Sequence, residues 1–190
     1  MTGPVVVVSG STRRDSLNQH LARLAAASLA ARGREAEYLD LDRYPMPLYH
    51  GDVEAEHGAP ESAERLHARI TAADGLLVAS PEYNGTMPPL LKNTVDWLTR
   101  VERGLLRGRT VGLMGASPGS RGAAHALGMI RTWFEYLGLD VLDERFSLPK
   151  AREALEIVDG SARLGTEDAA RLDAFLDRYI AALDTRNGGV

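Results

Sequence analysis

The chain contains no cysteine. That excludes disulfides, thiolate nucleophiles and thiolate metal sites, and it agrees with a cytoplasmic address. Lysine occurs only at positions 92 and 150, so the positive charge is almost wholly arginine, and no run of basic residues exists. Together with a net charge of −4, this argues against nucleic acid as the main partner. No apolar run approaches the ~18 residues of a membrane span, so no membrane partner is expected. The first strand signal opens at Val5, which leaves no room for a signal peptide before it. The five histidines, at 20, 50, 57, 67 and 125, show no H-E-x-x-H or comparable spacing, and Asp74, Glu82 and Asp96 form no evident carboxylate pair. No metal site and no catalytic triad are therefore expected. Gly10 has no partners to complete G-x-G-x-x-G, and G-x-x-x-x-G-K-[ST] is absent, which removes the dinucleotide fingerprint and the NTPase loop.

What is present is ordinary for a globular domain: 190 residues, 44% hydrophobic and 25% charged. Residues 1–184 are expected to form one domain, with 185–190 as a disordered tail. Strand and helix signals alternate along the chain. Val5–Ser9 reads as a strand buried on both faces, followed by a helix from Ser16 to Arg32 that Gly33 stops. Glu37–Leu41 reads as a short strand. Residues 43–59 read as irregular, the longest stretch without a periodic signal and thus a candidate lid or interface segment. A helix over Glu61–Ala73, a strand over Asp74–Ala79 and a helix from Pro88 or Pro89 to Arg100 follow. The pattern continues with a strand over Arg109–Met114, a helix over Ala123–Leu137, a strand within Leu139–Phe146 and a helix over Thr166–Leu183. Such alternation predicts an α/β fold with a doubly wound parallel sheet of five strands and helices on both faces. In the flavodoxin-like order 2-1-3-4-5, strands one, three and four lie adjacent, so the loops after them converge on one crevice at the carboxyl ends.

The first of those loops carries the chemistry. Val5–Ser9 passes through Gly10-Ser-Thr-Arg13-Arg-Asp into a helix that starts at Ser16. The first N–H groups of a helix have no partner within it, and its dipole favours an anion there. Ser11, Thr12, Ser16 and Asn18 can add side-chain donors, and Arg13 or Arg14 a charged fork. A monophosphate fits this loop better than a nucleoside triphosphate. The competing explanation is that Ser16 merely caps the helix while the arginines are solvated, Arg14 pairing with Asp15.

At Gly10-Ser-Thr-Arg13-Arg-Asp-Ser16-Leu-Asn18, Ser80-Pro-Glu-Tyr-Asn-Gly-Thr86 and Gly115-Ala-Ser117-Pro-Gly119-Ser-Arg-Gly122, the chain resembles the NADPH-dependent FMN reductase family, which includes chromate, quinone and azo reductases. Order and spacing agree over residues 4–150. The resemblance implies that Ser11, Arg13, Ser16 and Asn18 hold the FMN phosphate. It implies that Pro81, Glu82, Tyr83, Asn84 and Gly85 run along the isoalloxazine edge, and that Ser117, Gly119 and Gly122 close the other side. Local alternatives remain open: Asn84-Gly85 is a common turn pair, Tyr83 fits a subunit interface, and Ser117–Gly122 fits a plain helix-entry loop.

The activity implied is FMN-dependent NAD(P)H oxidoreduction in a ping-pong cycle. NADPH or NADH reduces bound FMN, and a quinone, azo compound, metal anion or flavin then takes the electrons. Positioning matters more than acid–base side chains here, so no catalytic residue is expected. The alternatives are a reductase that releases reduced FMN to a monooxygenase, and a non-catalytic electron carrier or sensor. Arg13 in the phosphate loop and the modest net charge weigh against a carrier. The family also implies a homodimer or homotetramer. The helix from Pro88 or Pro89 to Arg100, which carries Trp97 and Leu98 close to the second loop, is the expected interface, with residues 43–59 completing the neighbour's site.

Overall fold

Val5, Val6, Val7 and Val8 are all buried, yet alternate members face opposite ways. Val6 and Val8 belong to one half of the core, Val5 and Val7 to the other. A β-branched run with no polar face suits a central strand clothed on both sides. The computed structural model describes residues 3–158 and 160–187. Strands β1 (Val5–Ser9), β2 (Ala36–Leu39), β3 (Gly75–Ala79), β4 (Thr110–Ala116) and β5 (Asp140–Leu148) form a sheet in the order β2-β1-β3-β4-β5. Every pairing is parallel, which gives the flavodoxin-like, doubly wound arrangement expected.

The helices are α1 (Leu17–Ala31), α2 (Gly51–His57), α3 (Glu61–Thr71), α4 (Pro89–Val101), α5 (Ala124–Tyr136), the single turn α6 (Ala151–Ala154) and α7 (Thr166–Asn187). Leu66 and Ile70 of α3, Leu91, Val95 and Leu98 of α4, and Leu127, Ile130 and Phe134 of α5 cover Val6 and Val8. Leu21, Ala25 and Leu29 of α1, with Leu172, Phe175, Leu176 and Tyr179 of α7, cover Val5 and Val7. Gly112 lets α7 lie close to the sheet: an added Cβ would come within 3.1 Å of Phe175 Cζ and Tyr179 Cδ2.

Four expectations change. Residues 43–59 are not wholly irregular, because a 3₁₀ turn spans Leu41–Arg43 and α2 spans Gly51–His57. No residue of α2 is buried, so it carries no apolar stripe that periodicity could detect. The final helix continues to Asn187, which makes 185–187 helical; the rest of the anticipated tail, 188–190, lies outside the described residues. An antiparallel hairpin of β6 (Leu155–Val158) and β7 (Ser161–Leu164) stands between α6 and α7. Finally, Trp97 and Leu98 are consumed by their own chain. Trp97 is 0% exposed, its Nε1 donates to Pro47 O at 2.8 Å, and Tyr49 packs edge-on at 5.2 Å between centroids. Asn93 reinforces that seam, its Oδ1 accepting from Tyr49 N at 2.8 Å and its Nδ2 donating to Pro47 O at 2.9 Å. Two buried side chains offer no surface to a second subunit. Among the described residues, no helix is long and apolar enough to cross a membrane.

Candidate functional site

β1, β3 and β4 end at one edge of the sheet, and the loops that leave them meet in a cleft. Its lining includes Ser11, Arg13, Ser16, Leu17 and Asn18 from the first loop, Pro81, Glu82 and Tyr83 from the second, and Ala116, Ser117 and Pro118 from the third. Arg152 of α6 completes it.

The first loop is shaped by its own hydroxyls. Ser9 Oγ accepts from Ser11 N at 3.2 Å and donates to Ser11 O at 3.3 Å. Ser11 Oγ accepts from Arg13 N at 3.3 Å, and Gln19 Nε2 donates to Ser11 O at 3.0 Å. The chain then turns at Asp15 in the left-handed region, φ 56°, and Ser16 N donates to Arg13 O at 3.1 Å. Ser16 occupies the N-cap position of α1 without making a side-chain cap, although it is only 3% exposed. The first intrahelical bond runs from His20 N to Ser16 O at 3.0 Å, so the N–H groups of Leu17, Asn18 and Gln19 precede the ladder. Among the described residues the Arg13 and Arg14 side chains form no ion pair, and the Arg14–Asp15 pairing does not occur. A short helix entry with free amides, an uncapped serine and an unpaired guanidinium is equipped for an anion.

Asn18 does something the sequence could not specify. It is 3% exposed, its Nδ2 donates to Ala116 O and its Oδ1 accepts from Ala116 N, both at 2.9 Å. One side chain thus pairs with both polar groups of the residue that ends β4. It leaves a single Nδ2 hydrogen for anything else.

The second loop is a two-residue hairpin turn. Tyr83 N donates to Thr86 O at 3.0 Å and Thr86 N to Tyr83 O at 3.1 Å, with Asn84 and Gly85 at φ 51° and 78°. Two consecutive left-handed residues define a type I′ turn, for which Asn-Gly is the favoured pair. Glu82 Oε2 accepts from Ala126 N at 3.0 Å. It caps α5 from the neighbouring loop, where Ala123 at the N-cap position supplies no side chain able to do so. Gly10 allows the first two loops to touch, since a Cβ there would stand 2.9 Å from Pro88 Cγ.

The third loop is stitched to the end of β5. Ser117 N donates to Leu148 O at 3.2 Å, Ala151 N to Ser117 O at 2.9 Å and Lys150 N to Gly119 O at 2.9 Å. Gly122 is left-handed, φ 56°, and an added Cβ would lie 2.7 Å from Leu148 N and 2.8 Å from Pro149 N.

Eight of the twelve anticipated residues line the cleft: Ser11, Arg13, Ser16, Asn18, Pro81, Glu82, Tyr83 and Ser117. Asn84, Gly85, Gly119 and Gly122 do not. Asn84 and Gly85 make the turn at its rim, Gly119 offers its carbonyl to Lys150, and Gly122 accommodates the Leu148–Pro149 backbone. Gln19 and Arg152 escaped the sequence reading. Gln19 had a usable signal, being one helical turn beyond the loop it braces; Arg152 had none, because it lies outside every motif. No group of three or more metal-ligating side chains exists among the described residues.

A model of the family described as NADPH-dependent FMN reductase matches residues 4–153. A 2-hydroxy-1,4-benzoquinone reductase from a Burkholderia species is 35% identical over 179 residues, 93% of this chain and 94% of that one. An NAD(P)H-dependent FMN reductase from Pseudomonas aeruginosa is 37% identical over 140 residues, 74% of each chain. Among solved structures, the flavoenzyme NAD(P)H:(acceptor) oxidoreductase of Paracoccus denitrificans superposes with a TM-score of 0.83 at 30% identity, covering 97% of this chain and 98% of its own.

Proposed function

The chain belongs to the NADPH-dependent FMN reductase family, a family of oxidoreductases, and on that premise we propose that it binds FMN in the cleft and passes electrons from NAD(P)H to a quinone in a ping-pong cycle. The observation that carries this reading is the vacancy in hydrogen bonding at the start of α1: free amides at Leu17–Gln19, the uncapped Ser16 hydroxyl and the unpaired Arg13. These fit a monophosphate. Bound FMN supplies the capacity to accept and return a hydride. The chain's part is to bind, orient and exclude water.

In this reading Ser11, Arg13 and Ser16 hold the phosphate. Asn18 sets the distance between the phosphate loop and Ala116, and Ser117 borders the ribityl chain. Pro81, Glu82 and Tyr83, with the Asn84-Gly85 turn, border the ring, and the rigidity of that turn and of Pro81 keeps the edge in register. The donor and the acceptor use the same open side in turn. A quinone is favoured among acceptors because relatives of high coverage carry that activity in their names. The assembly proposed is a homodimer or homotetramer. Its contact would use the exposed Leu48, Met129 and Tyr136 in place of Trp97 and Leu98, and a light-scattering mass of one chain would refute it.

The experiment is to load the purified protein with FMN, remove the excess and record the visible spectrum before and after NADPH without oxygen. A retained flavin spectrum that bleaches, and returns on adding 1,4-benzoquinone, is expected, with parallel double-reciprocal plots in steady state. A retained spectrum that NADPH does not bleach would refute the enzyme in favour of a carrier. Failure to retain any flavin, with no binding on titration, would refute the reading of the phosphate loop.

A further inference from the structure

The cleft is lined by a second cationic residue besides Arg13. Arg152 sits on α6, and the route that brings it there is firmly built. Lys150 takes a left-handed conformation, φ 47°. The N–H groups of Lys150 and Ala151 are both tied to the third loop, at Gly119 O and Ser117 O. Ala151 is fully buried, so the turn is pinned from beneath. The next residue, Arg152, is exposed and lines the same cleft as Ser16, Leu17 and Ser117.

Part of the arginine complement of this chain is already committed to partners within the protein. Arg32, Arg34, Arg69, Arg131, Arg171, Arg178 and Arg186 each hold a carboxylate, and Arg109 spends its fork on the carbonyls of Ala73 and Thr71. Among the described residues Arg152 has neither an ion pair nor a side-chain hydrogen bond, and nor does the Arg13 side chain. Two arginines without an ion pair among the described residues therefore line one cleft, Arg13 from the first loop and Arg152 from α6. A phosphate monoester near neutral pH carries about −1.5 to −2 charges. A helix N-terminus contributes about half a positive charge and Arg13 one. Those two supply about 1.5 positive charges, and Arg152 raises the total to about 2.5, enough to balance a full dianion.

We propose that Arg152 is a second phosphate-binding residue of the cleft, closing over the FMN phosphate from the third-loop side and setting selectivity for phosphorylated over unphosphorylated flavin. This rests on the FMN reading above. Arg152 forms no part of the reacting centre. Its contribution is to the affinity and lifetime of the bound cofactor.

The test compares wild-type protein with R152Q and R152K by titrating the apoprotein with FMN and, separately, riboflavin, following flavin fluorescence. For R152Q the FMN dissociation constant should rise about tenfold, near the lower end for a charge-assisted hydrogen bond because the group is exposed, while riboflavin affinity stays unchanged. R152K should fall between, since it keeps the charge and loses the fork. Equal weakening of both flavins would overturn the proposal and leave Arg152 a shaping residue. Unchanged FMN affinity with a raised KM for NADPH would also overturn it, assigning Arg152 to the phosphates of the donor. Thermal unfolding of the apoproteins should coincide, because an exposed, unpaired arginine supports no folded-state contact. The wild-type titration reports on the FMN reading alone, and the ratio of variant to wild type reports on Arg152, so the two can fail separately.

Discussion

Replacing Asn18 with alanine removes two hydrogen bonds and opens a gap between the start of α1 and the end of β4. Both partners belong to Ala116, which is 3% exposed, so its N–H and C=O lose the Asn18 amide in a place that water reaches poorly. Each lost bond is worth about 0.5–1.5 kcal/mol net, and a stranded buried group costs about 1–3 kcal/mol. The cleft alongside lets some water in, which puts the sum at about 2–3 kcal/mol. In a domain of this size that lowers the melting temperature by roughly 4–12 °C. The assay is urea unfolding of the apoprotein, which keeps the clamp separate from any ligand. Asn18→Asp sharpens the test. At pH 7 the introduced carboxylate accepts from Ala116 N–H but faces Ala116 C=O with no proton to give. Its folded pKa therefore lies above the unfolded ~3.9, and the penalty is absent below that pH and grows as pH rises through the folded value. Asn18→Asp should be less stable than Asn18→Ala at pH 7 and recover towards pH 4. Ser16→Ala, by contrast, should leave the apoprotein's stability unchanged. If Asn18→Ala costs under about 0.5 kcal/mol, the range of ordinary surface changes, the clamp carries no load and Asn18 serves as a ligand alone.

Gly122→Ala combines a left-handed φ with a Cβ driven into the Leu148–Pro149 backbone; it should destabilise by more than about 2 kcal/mol, read as a lower urea midpoint, with poor expression as the cruder sign. Glu82→Ala should cost about 1 kcal/mol through the lost cap on α5, while Glu82→Gln keeps an acceptor for Ala126 N and should cost less than half of that in the same apoprotein assay. His20 is buried, with its Nδ1 unpartnered, and its pKa is pushed down first by burial and then by Arg23, with Asp15 opposing. Because the unfolded chain takes up the proton more readily, stability is complete above about pH 6.5 and falls as pH drops below it. His20→Gln should flatten that fall when unfolding is measured at pH 7.5 and 5.5.

Much of this could be read ahead of the structure because the decisive signals are local. Four valines in a row specify a two-sided strand, and Asn84-Gly85 specifies a turn of one hand. Strand-to-helix alternation, combined with the right-handed crossover habit of parallel sheets, leaves few topologies. The losses came from contacts between distant residues and from elements without an apolar stripe. Nothing near Asn18 says that its amide turns towards a residue 98 positions away, and nothing near Glu82 says that it caps a helix 44 positions on. α2 is held by Tyr49, whose hydroxyl donates to Glu54 at 2.7 Å, and not by buried side chains. The hairpin of β6 and β7 did carry a signal in Asp159-Gly160 between two short runs, but it competed with a strong helical stripe just downstream. Trp97 misled in the opposite direction: a large apolar residue beside a functional loop suggested a partner, while its partner was Pro47 of the same chain.

The sheet divides the interior into two compartments that do not share side chains. Val6, Leu76, Val78, Leu91 and Phe134 pack in one, Val5, Leu77, Met114, Leu172 and Phe175 in the other. Substitutions on opposite sides touch no common neighbour, so their effects should add, whereas those on the same side should interfere. For protein engineering this makes the molecule two smaller problems. A library that repacks the α3–α4–α5 compartment can be selected on its own and then crossed with one for the α1–α7 compartment. The strand backbones, and with them the loop ends that frame the cleft, are the parts that both libraries must leave alone.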